Sequence, residues 1–313
     1  MLLLDEDKTR EALPMKGLVE ALRAMFAAGC EMPVRHHHFI EMEGEDTAKL
    51  LLMPAWISGR YVGVKIANVF PGNSERGLAA VNASYMLMSG KTGQNLALID
   101  GGELTARRTA AASALAADYL ARKDASHLLV VATGRLALNV VEAYQAVRDL
   151  KKVTVWGRNS DKVKVLCEKV SALGLEAQAA GDLEQAVRGA DMISCATLSA
   201  QPLVHGAWLQ PGQHLDLIGA FTTEMRESDD ECMRRSSVFV DTMAAGTREA
   251  GDIVQAFRSG ALKAEDIRAD LFALARNEHP GRRSVQEITL FKSVGAALED
   301  LAGAILAYES VTK

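Results

Sequence analysis

Along the first 125 residues, apolar positions recur at two different spacings. Gly17–Ala28 repeats them every three to four residues and predicts an amphipathic helix. Pro33–Glu41, Lys49–Pro54 and Tyr61–Phe70 are rich in strand formers, and the last runs into a Pro71-Gly72 turn signal. Tyr85–Met88 and Asn95–Ile99 flank Gly90–Gly93 and predict a hairpin. Leu104–Leu120 is Ala-rich and helical, with Thr105 placed to cap it.

From Ser126 the pattern becomes regular. Short apolar strands at Leu128–Thr133, Lys152–Trp156, Glu176–Ala180 and Met192–Ala196 alternate with helices running to about Leu150, over Asp161–Leu173 and over Leu183–Arg188. Two more apolar strands follow, His214–Ile218 and Val238–Asp241. Strands alternating with helices imply right-handed βαβ units and a parallel sheet covered on both faces. The expected class is therefore α/β, with a doubly wound dinucleotide-binding (Rossmann) domain. After about residue 283 a single helix, Val294–Tyr308, is expected to pack back on the first domain, which the nucleotide domain would then split.

Composition changes this picture little. The 313 residues suit two domains of ordinary size, and 49% hydrophobic with 24% charged residues is a globular balance. A net charge of −5 with no dense Lys/Arg block argues against nucleic-acid binding. No apolar run reaches the length of a membrane span, and Met1–Leu4 is followed at once by three acidic residues, unlike an export signal. Cys30, Cys167, Cys195 and Cys232 lack CxxC spacing and read as thiols of a reducing compartment, so a cytoplasmic location is expected.

A dinucleotide fold needs glycine after its first strand, so that backbone can approach the pyrophosphate at a helix N-terminus. Here the turn is Ala132-Thr133-Gly134-Arg135-Leu136-Ala137, which keeps only the middle glycine of the fingerprint. After the second strand, Trp156-Gly157-Arg158-Asn159-Ser160 carries no carboxylate for a ribose diol. Arg158 can instead pair with a 2′-phosphate, with Asn159 and Ser160 as donors, which favours NADPH and leaves NADH possible. The plainer alternative is a solvated arginine at a helix start.

Three cations of the first domain stand in unusual settings. Arg35 lies in Pro33–His38, Lys65 interrupts the apolar strand Val62–Ala67, and Arg108 opens the Ala-rich helix. A lysine inside an apolar strand must snorkel, pair or meet a ligand. Convergence of the three would make a pocket for an amino-acid carboxylate; salt bridges and edge positions are the alternative. His36-His37-His38 suggests a metal, but neighbours in a strand point to opposite faces, so no metal is expected.

These residues resemble a known family. Thr105-Ala106-Arg107-Arg108-Thr109-Ala110-Ala111-Ala112-Ser113, Val64-Lys65 followed by Phe70-Pro71-Gly72-Asn73, and Leu290–Asp300 look like signatures of the ornithine cyclodeaminase/mu-crystallin family across essentially the whole chain. The resemblance implies a discontinuous α+β substrate-binding and dimerisation domain (residues 1–112 and 291–313) around a Rossmann domain (113–290), and a homodimer. It implies that Arg35, Lys65 and Arg108 hold the substrate carboxylate. It places Arg108, Thr109, Thr133, Gly134, Arg135, Leu136, Ala137, Thr197, Ile218 and Gly219 near the cofactor. Phe221, Ser293, Val294 and Gly295 fall on the substrate side. Ornithine cyclodeaminases carry an aspartate where this chain has Phe221, and phenylalanine is neither acid nor base. Reduction of a small cyclic imino acid, with Lys65 as a proton donor to nitrogen, is therefore expected before cyclodeamination, alanine-type dehydrogenation or ligand binding without turnover.

Overall fold

In the computed structural model, which describes residues 1–312, the chain forms two compact units. One comprises Met1–Arg108 and the residues from Ala297 onward; the other is Thr109–Ala296. The family resemblance implied boundaries at 112 and 290.

The first unit is built on a six-stranded mixed sheet. Its strands are β1 (Leu2–Leu4), β2 (His36–Ile40), β3 (Ala48–Ile57), β4 (Tyr61–Val69), β5 (Val81–Ser89) and β6 (Asn95–Asp100), in the order β1-β6-β5-β4-β3-β2. β1 runs parallel to β6 and every other pair is antiparallel. Pro54 is tolerated inside β3 because β2 has ended by then: its last partner is His36 opposite Leu52. Helices α1 (Glu6–Ala12) and α2 (Met15–Ala28) follow β1, and α2 buries Leu18, Leu22 and Phe26. The helix expected at the C-terminus is α11 (Ala297–Thr312), which packs on α2 and across β3, β4 and β5.

Helix α3 (Gly101–Leu120) runs from the first unit into the second. It starts four residues before the expected Thr105 cap. Asp100 Oδ1 accepts from the Glu103 N–H at 2.6 Å, so Asp100 caps the helix and Gly101-Gly102 form its first turn. Thr105 sits inside the helix, where its hydroxyl is free to meet another group.

The second unit holds an eight-stranded sheet in which every pairing is parallel. Its strands are β7 (His127–Val131), β8 (Lys152–Trp156), β9 (Glu176–Ala179), β10 (Met192–Cys195), β11 (His214–Leu217), β12 (Ser237–Val240), β13 (Ile267–Asp270) and β14 (Thr289–Lys292). The connecting helices are α4 (Arg135–Gln145), α5 (Ser160–Ala172), α6 (Leu183–Gly189), α7 (Asp230–Arg235), α8 (Met243–Gly246), α9 (Gly251–Ser259) and α10 (Leu271–Ala275). The order β13-β12-β14-β11-β10-β7-β8-β9 reverses direction between β7 and β10, as a doubly wound sheet does. The expectation of a lone helix after residue 283 is corrected by β14, which lies between β11 and β12. Its four residues are wholly buried, and the charged Lys292 at its end hides the apolar run.

Helix α4 stops at Gln145, short of Leu150. The carbonyls at the end of α3 are gathered by two arginines. Arg148 bonds the carbonyls of Ala117, Asp118 and Ala121, and Arg282 that of Leu120. Cations suit a helix C-terminus, where unpaired carbonyls gather negative potential. Among the described residues no helix is long and apolar enough to cross a membrane.

Candidate active site

In the first unit, β4 and α3 bring Lys65 and Arg108 together. Lys65 lies mid-strand, facing the sheet side that α11 covers, opposite Tyr85 in β5 and Met53 in β3. Its ammonium is 2.7 Å from Asp300 Oδ2 and 3.5 Å from the Thr105 hydroxyl. Arg108 Nε donates to Asp300 Oδ1 at 2.8 Å, and Nη1 donates to Glu299 Oε2 at 2.6 Å. All four charged side chains are buried. Glu299 and Asp300 stand in the first turn of α11, where carboxylates are favoured by the helix dipole.

The charges tune one another. Burial pulls the Lys65 ammonium down to about 8; Asp300 opposes this, while Arg108 and Arg35 add to it. Arg35, half-buried just before β2, is thus within electrostatic reach of Lys65. Burial disfavours the Arg108 charge, but Asp300 and Glu299 outweigh it and raise the group above its ordinary value. Burial pushes Asp300 up, yet Arg108 and Lys65 hold its carboxyl below the usual range. The three predicted cations therefore form one electrostatic cluster. The carboxylates that hold it went unnoticed in the sequence, although Glu299 and Asp300 end the C-terminal signature.

Tyr85 also escaped sequence reasoning. Its hydroxyl is buried without a hydrogen-bond partner among the described residues, and the ring occupies space that only a glycine at position 63 leaves open. Burial, then Asp300, raises its phenol well above the ordinary value, so it is a neutral donor.

In the second unit, the reversal of strand order puts a crevice at the C-terminal ends of β7 and β10, where doubly wound folds bind ligands. Thr133 and Gly134 follow β7, and Thr197 follows β10. Gly134 is the N-cap of α4 and provides no side-chain cap, and a Cβ there would meet nothing within 4 Å. Exposed amides at a helix start in open space fit a pyrophosphate. Arg135 is exposed, Leu136 half-buried and Ala137 buried in the first turn. Arg158, past the end of β8, is exposed. Asn159 caps α5, its Oδ1 accepting from the Lys162 N–H at 2.9 Å, so that oxygen is already engaged. Gly157 brings the two turns together: a Cβ would lie 2.6 Å from Thr133 Cγ2.

The 218–221 loop follows β11. Ile218 and Gly219 are buried, Ala220 takes the left-handed φ of +50°, and Phe221 is half-exposed. Ser293, Val294 and Gly295 lie in the second unit, contrary to the expected boundary. Their backbone donors are occupied. Ser293 N–H donates to the Leu217 carbonyl at 3.2 Å, and the Val294 and Gly295 amides both donate to Asp241 Oδ2 at 2.7 Å. Asp241 thus fixes the backbone of the turn that the family resemblance puts on the substrate side. Thr109 is a half-buried residue of α3. Among the described residues no group of three or more His, Cys, Asp or Glu is placed to hold a metal ion.

A doubly wound parallel sheet with an open glycine turn at its switch point is the dinucleotide-binding (Rossmann) class of fold. Residues 5–313 match the model of the ornithine cyclodeaminase/mu-crystallin family, and the chain belongs to that family. It is 40% identical to Protein SAR DEFICIENT 4 of Arabidopsis thaliana, over 89% of this chain and 86% of that one. It is 39% identical to the Delta(1)-pyrroline-2-carboxylate reductase of Paracoccus denitrificans, over 82% of each chain. The solved Delta(1)-pyrroline-2-carboxylate reductase of Thermococcus litoralis, in complex with NADH and L-proline, superposes with a TM-score of 0.92. That pair is 33% identical, and the match covers 99% of this chain and 97% of that one.

Proposed function

We propose that this protein reduces a cyclic imino acid, Δ1-pyrroline-2-carboxylate or its six-membered homologue, to L-proline or L-pipecolate with a nicotinamide cofactor. The observation that carries this is the buried pairing of Lys65 and Arg108 over Asp300, with Arg35 in electrostatic range. Relatives named for the same reaction support it.

Arg35 and Arg108 orient the substrate carboxylate, so that the imine carbon is held in one pose. When bound, the cofactor supplies the hydride that forms the new C–H bond. As that bond forms, the C=N π pair moves to nitrogen and takes a proton from Lys65 Nζ. A lysine held near 8 by burial gives up a proton far more readily than a solvated one and regains it from solvent at neutral pH. Asp300 anchors both Lys65 and Arg108, which limits their motion. Phe221 brings no carboxylate, which separates the chain from ornithine cyclodeaminases. Thr133, Gly134 and the first turn of α4 hold the pyrophosphate, and Arg158 pairs with the 2′-phosphate of NADPH.

The exposed apolar side chains Val34, Phe39, Leu78 and Val81 of the first unit suit a homodimer. Free cysteines suit a cytoplasmic location. The test is NADPH absorbance with Δ1-pyrroline-2-carboxylate, repeated with NADH and with ornithine plus NAD. Saturable NADPH loss with L-proline formed supports imine reduction. Proline and ammonia from ornithine would mean cyclodeamination instead, and bound but unoxidised NADPH would mean a binding protein.

A further inference from the structure

At the C-terminal ends of β10, β11 and β14 the second unit hides Lys292, Glu227 and Asp252 completely. Lys292 Nζ donates to the Gly219 carbonyl and is 3.4 Å from Asp252 Oδ2. Asp252 Oδ1 accepts from the Glu227 and Ser228 N–H groups at 3.0 and 2.9 Å and from the Ser228 hydroxyl at 3.0 Å. Glu227 Oε1 accepts from the Thr197 N–H at 2.6 Å. Its other oxygen is buried with no hydrogen-bond partner among the described residues. Any side chain at Gly219 would collide with the Thr197 carbonyl and the Glu227 carboxyl.

Stability alone does not account for this cluster. Buried ion pairs are commonly no better for stability than apolar residues of similar volume, and an orphaned carboxyl oxygen is a further cost. The cluster does pin two backbone segments, after β10 and after β11, on the side of β7 away from β8 and its Arg158 turn, so they flank the end of the cofactor site opposite the adenosine. It also has an unbalanced charge, with one cation for two carboxylates.

We propose that Glu227, braced by Lys292 and Asp252, is a positioning residue for the nicotinamide end of the cofactor site and that its charge favours the oxidised cofactor over the reduced one. This rests on the cofactor use proposed above. The oxidised nicotinamide ring is a cation and the reduced ring is neutral. With Glu227 ionised the cluster carries a net −1 and attracts the cation; with Glu227 protonated it is neutral and does not discriminate.

Burial raises the Glu227 carboxyl to about 7, against the pull of Lys292 and with the push of Asp252. The groups around it are Lys292 at the end of β14, Asp252 of α9, Cys195 of β10 and, beyond Lys292 and Cys195, Asp216 of β11. Burial raises the Asp216 carboxyl to about 6, but Asp216 is unchanged in Glu227→Gln, so the variant separates the two. Burial raises the Cys195 thiol so far that it stays neutral. The switch between net 0 and net −1 thus falls in the physiological range. By linkage, binding of the oxidised cofactor must in turn draw the Glu227 proton off.

The experiment is to measure the dissociation constants of NADP+ and NADPH at pH 6 and pH 8, for the wild type and for Glu227→Gln. The ratio of the two constants cancels the titration of the 2′-phosphate, which both redox forms carry. In the wild type, NADP+ should gain on NADPH by about three- to tenfold between pH 6 and pH 8. In Glu227→Gln the ratio should stay flat at the wild-type pH 6 value. A wild-type ratio that does not move with pH overturns the proposal without reference to any variant, and so does a shift that persists in Glu227→Gln. Absence of any nicotinamide-cofactor binding would overturn the proposed function as well, and so is distinguishable from a failure of the charge effect alone.

Discussion

Each unit buries an ionic cluster, and the two differ in their ratio of cations to carboxylates. In the first, Lys65 and Arg108 meet Glu299 and Asp300, two cations for two carboxylates, with half-buried Arg35 in electrostatic range of Lys65. In the second, Lys292 alone meets Glu227 and Asp252, so the sum is negative once Glu227 ionises. Nearby, Asp216 is a buried carboxyl, raised by burial to about 6, whose oxygens find their partners within the protein. Ser113, Ser194 and Tyr144 satisfy it with hydroxyls at 3.0, 2.6 and 3.1 Å. The difference is instructive. A buried carboxylate ringed by donors is structural, whereas a cluster with surplus charge points to a ligand of the opposite charge. The cluster built on Lys65 and Arg108 suits a substrate carboxylate, and the one with a single cation for two carboxylates suits a cationic ring.

The largest expected effect breaks the Lys65 cluster. Arg108→Ala leaves two buried carboxylates facing Lys65 alone. Unfolding free energy measured in urea should fall by about 3–5 kcal/mol, and kcat/KM for the imine by about a hundredfold or more. Arg108→Lys keeps the charge but loses the fork that reaches both Glu299 and Asp300, so it should restore stability better than turnover.

Arg158→Ala tests the cofactor end. NADPH affinity should fall about tenfold, near 1.4 kcal/mol, with NADH affinity unchanged. Equal losses for both would make Arg158 a general contact and not a 2′-phosphate partner.

The pH response sharpens the contrast. Because Lys65 is depressed to about 8, kcat/KM should decline above that pH as the proton donor is lost. The stability effect has the opposite sign. Between pH 8 and 10.5 the unfolded chain binds the proton that folded Lys65 has released, so stability gains as pH rises through that window. Urea titrations at pH 8 and pH 10 should show this gain in the wild type and not in Lys65→Met. The smallest effect belongs to the satisfied carboxylate: Tyr144→Phe should cost about 1 kcal/mol of stability and leave kcat/KM as it was.

Much of the second unit was legible because its strands are short apolar runs between helices of clear period. Lys152–Trp156 is a strand over the residues expected, and β7 and β10 differ from expectation by one or two. What stayed hidden was set by distant partners. β14 ends in Lys292, whose counter-charge comes from Asp252 and whose acceptor is the Gly219 carbonyl, and no local pattern signals either. The start of α3 was hidden because Gly101-Gly102 reads as a loop until Asp100 is seen to cap it. The basic residues Lys65 and Arg108 were conspicuous because a charge interrupts an apolar stretch. Asp300, Glu227 and Asp241 were not, since a carboxylate in a helix or loop looks like ordinary surface until its burial is known. Asp241 was hidden in the same way, although it accepts from both the Val294 and Gly295 amides.

The central claim is that the Lys65 cluster binds and protonates the imino acid. It is tested most directly by the steady-state rate of Δ1-pyrroline-2-carboxylate reduction in Lys65→Ala, with NADPH affinity measured on the same sample. The account predicts a kcat/KM lower by about a hundred- to ten-thousandfold, the range for a lost general acid, at an unchanged NADPH dissociation constant. Reduction at the wild-type rate would contradict it.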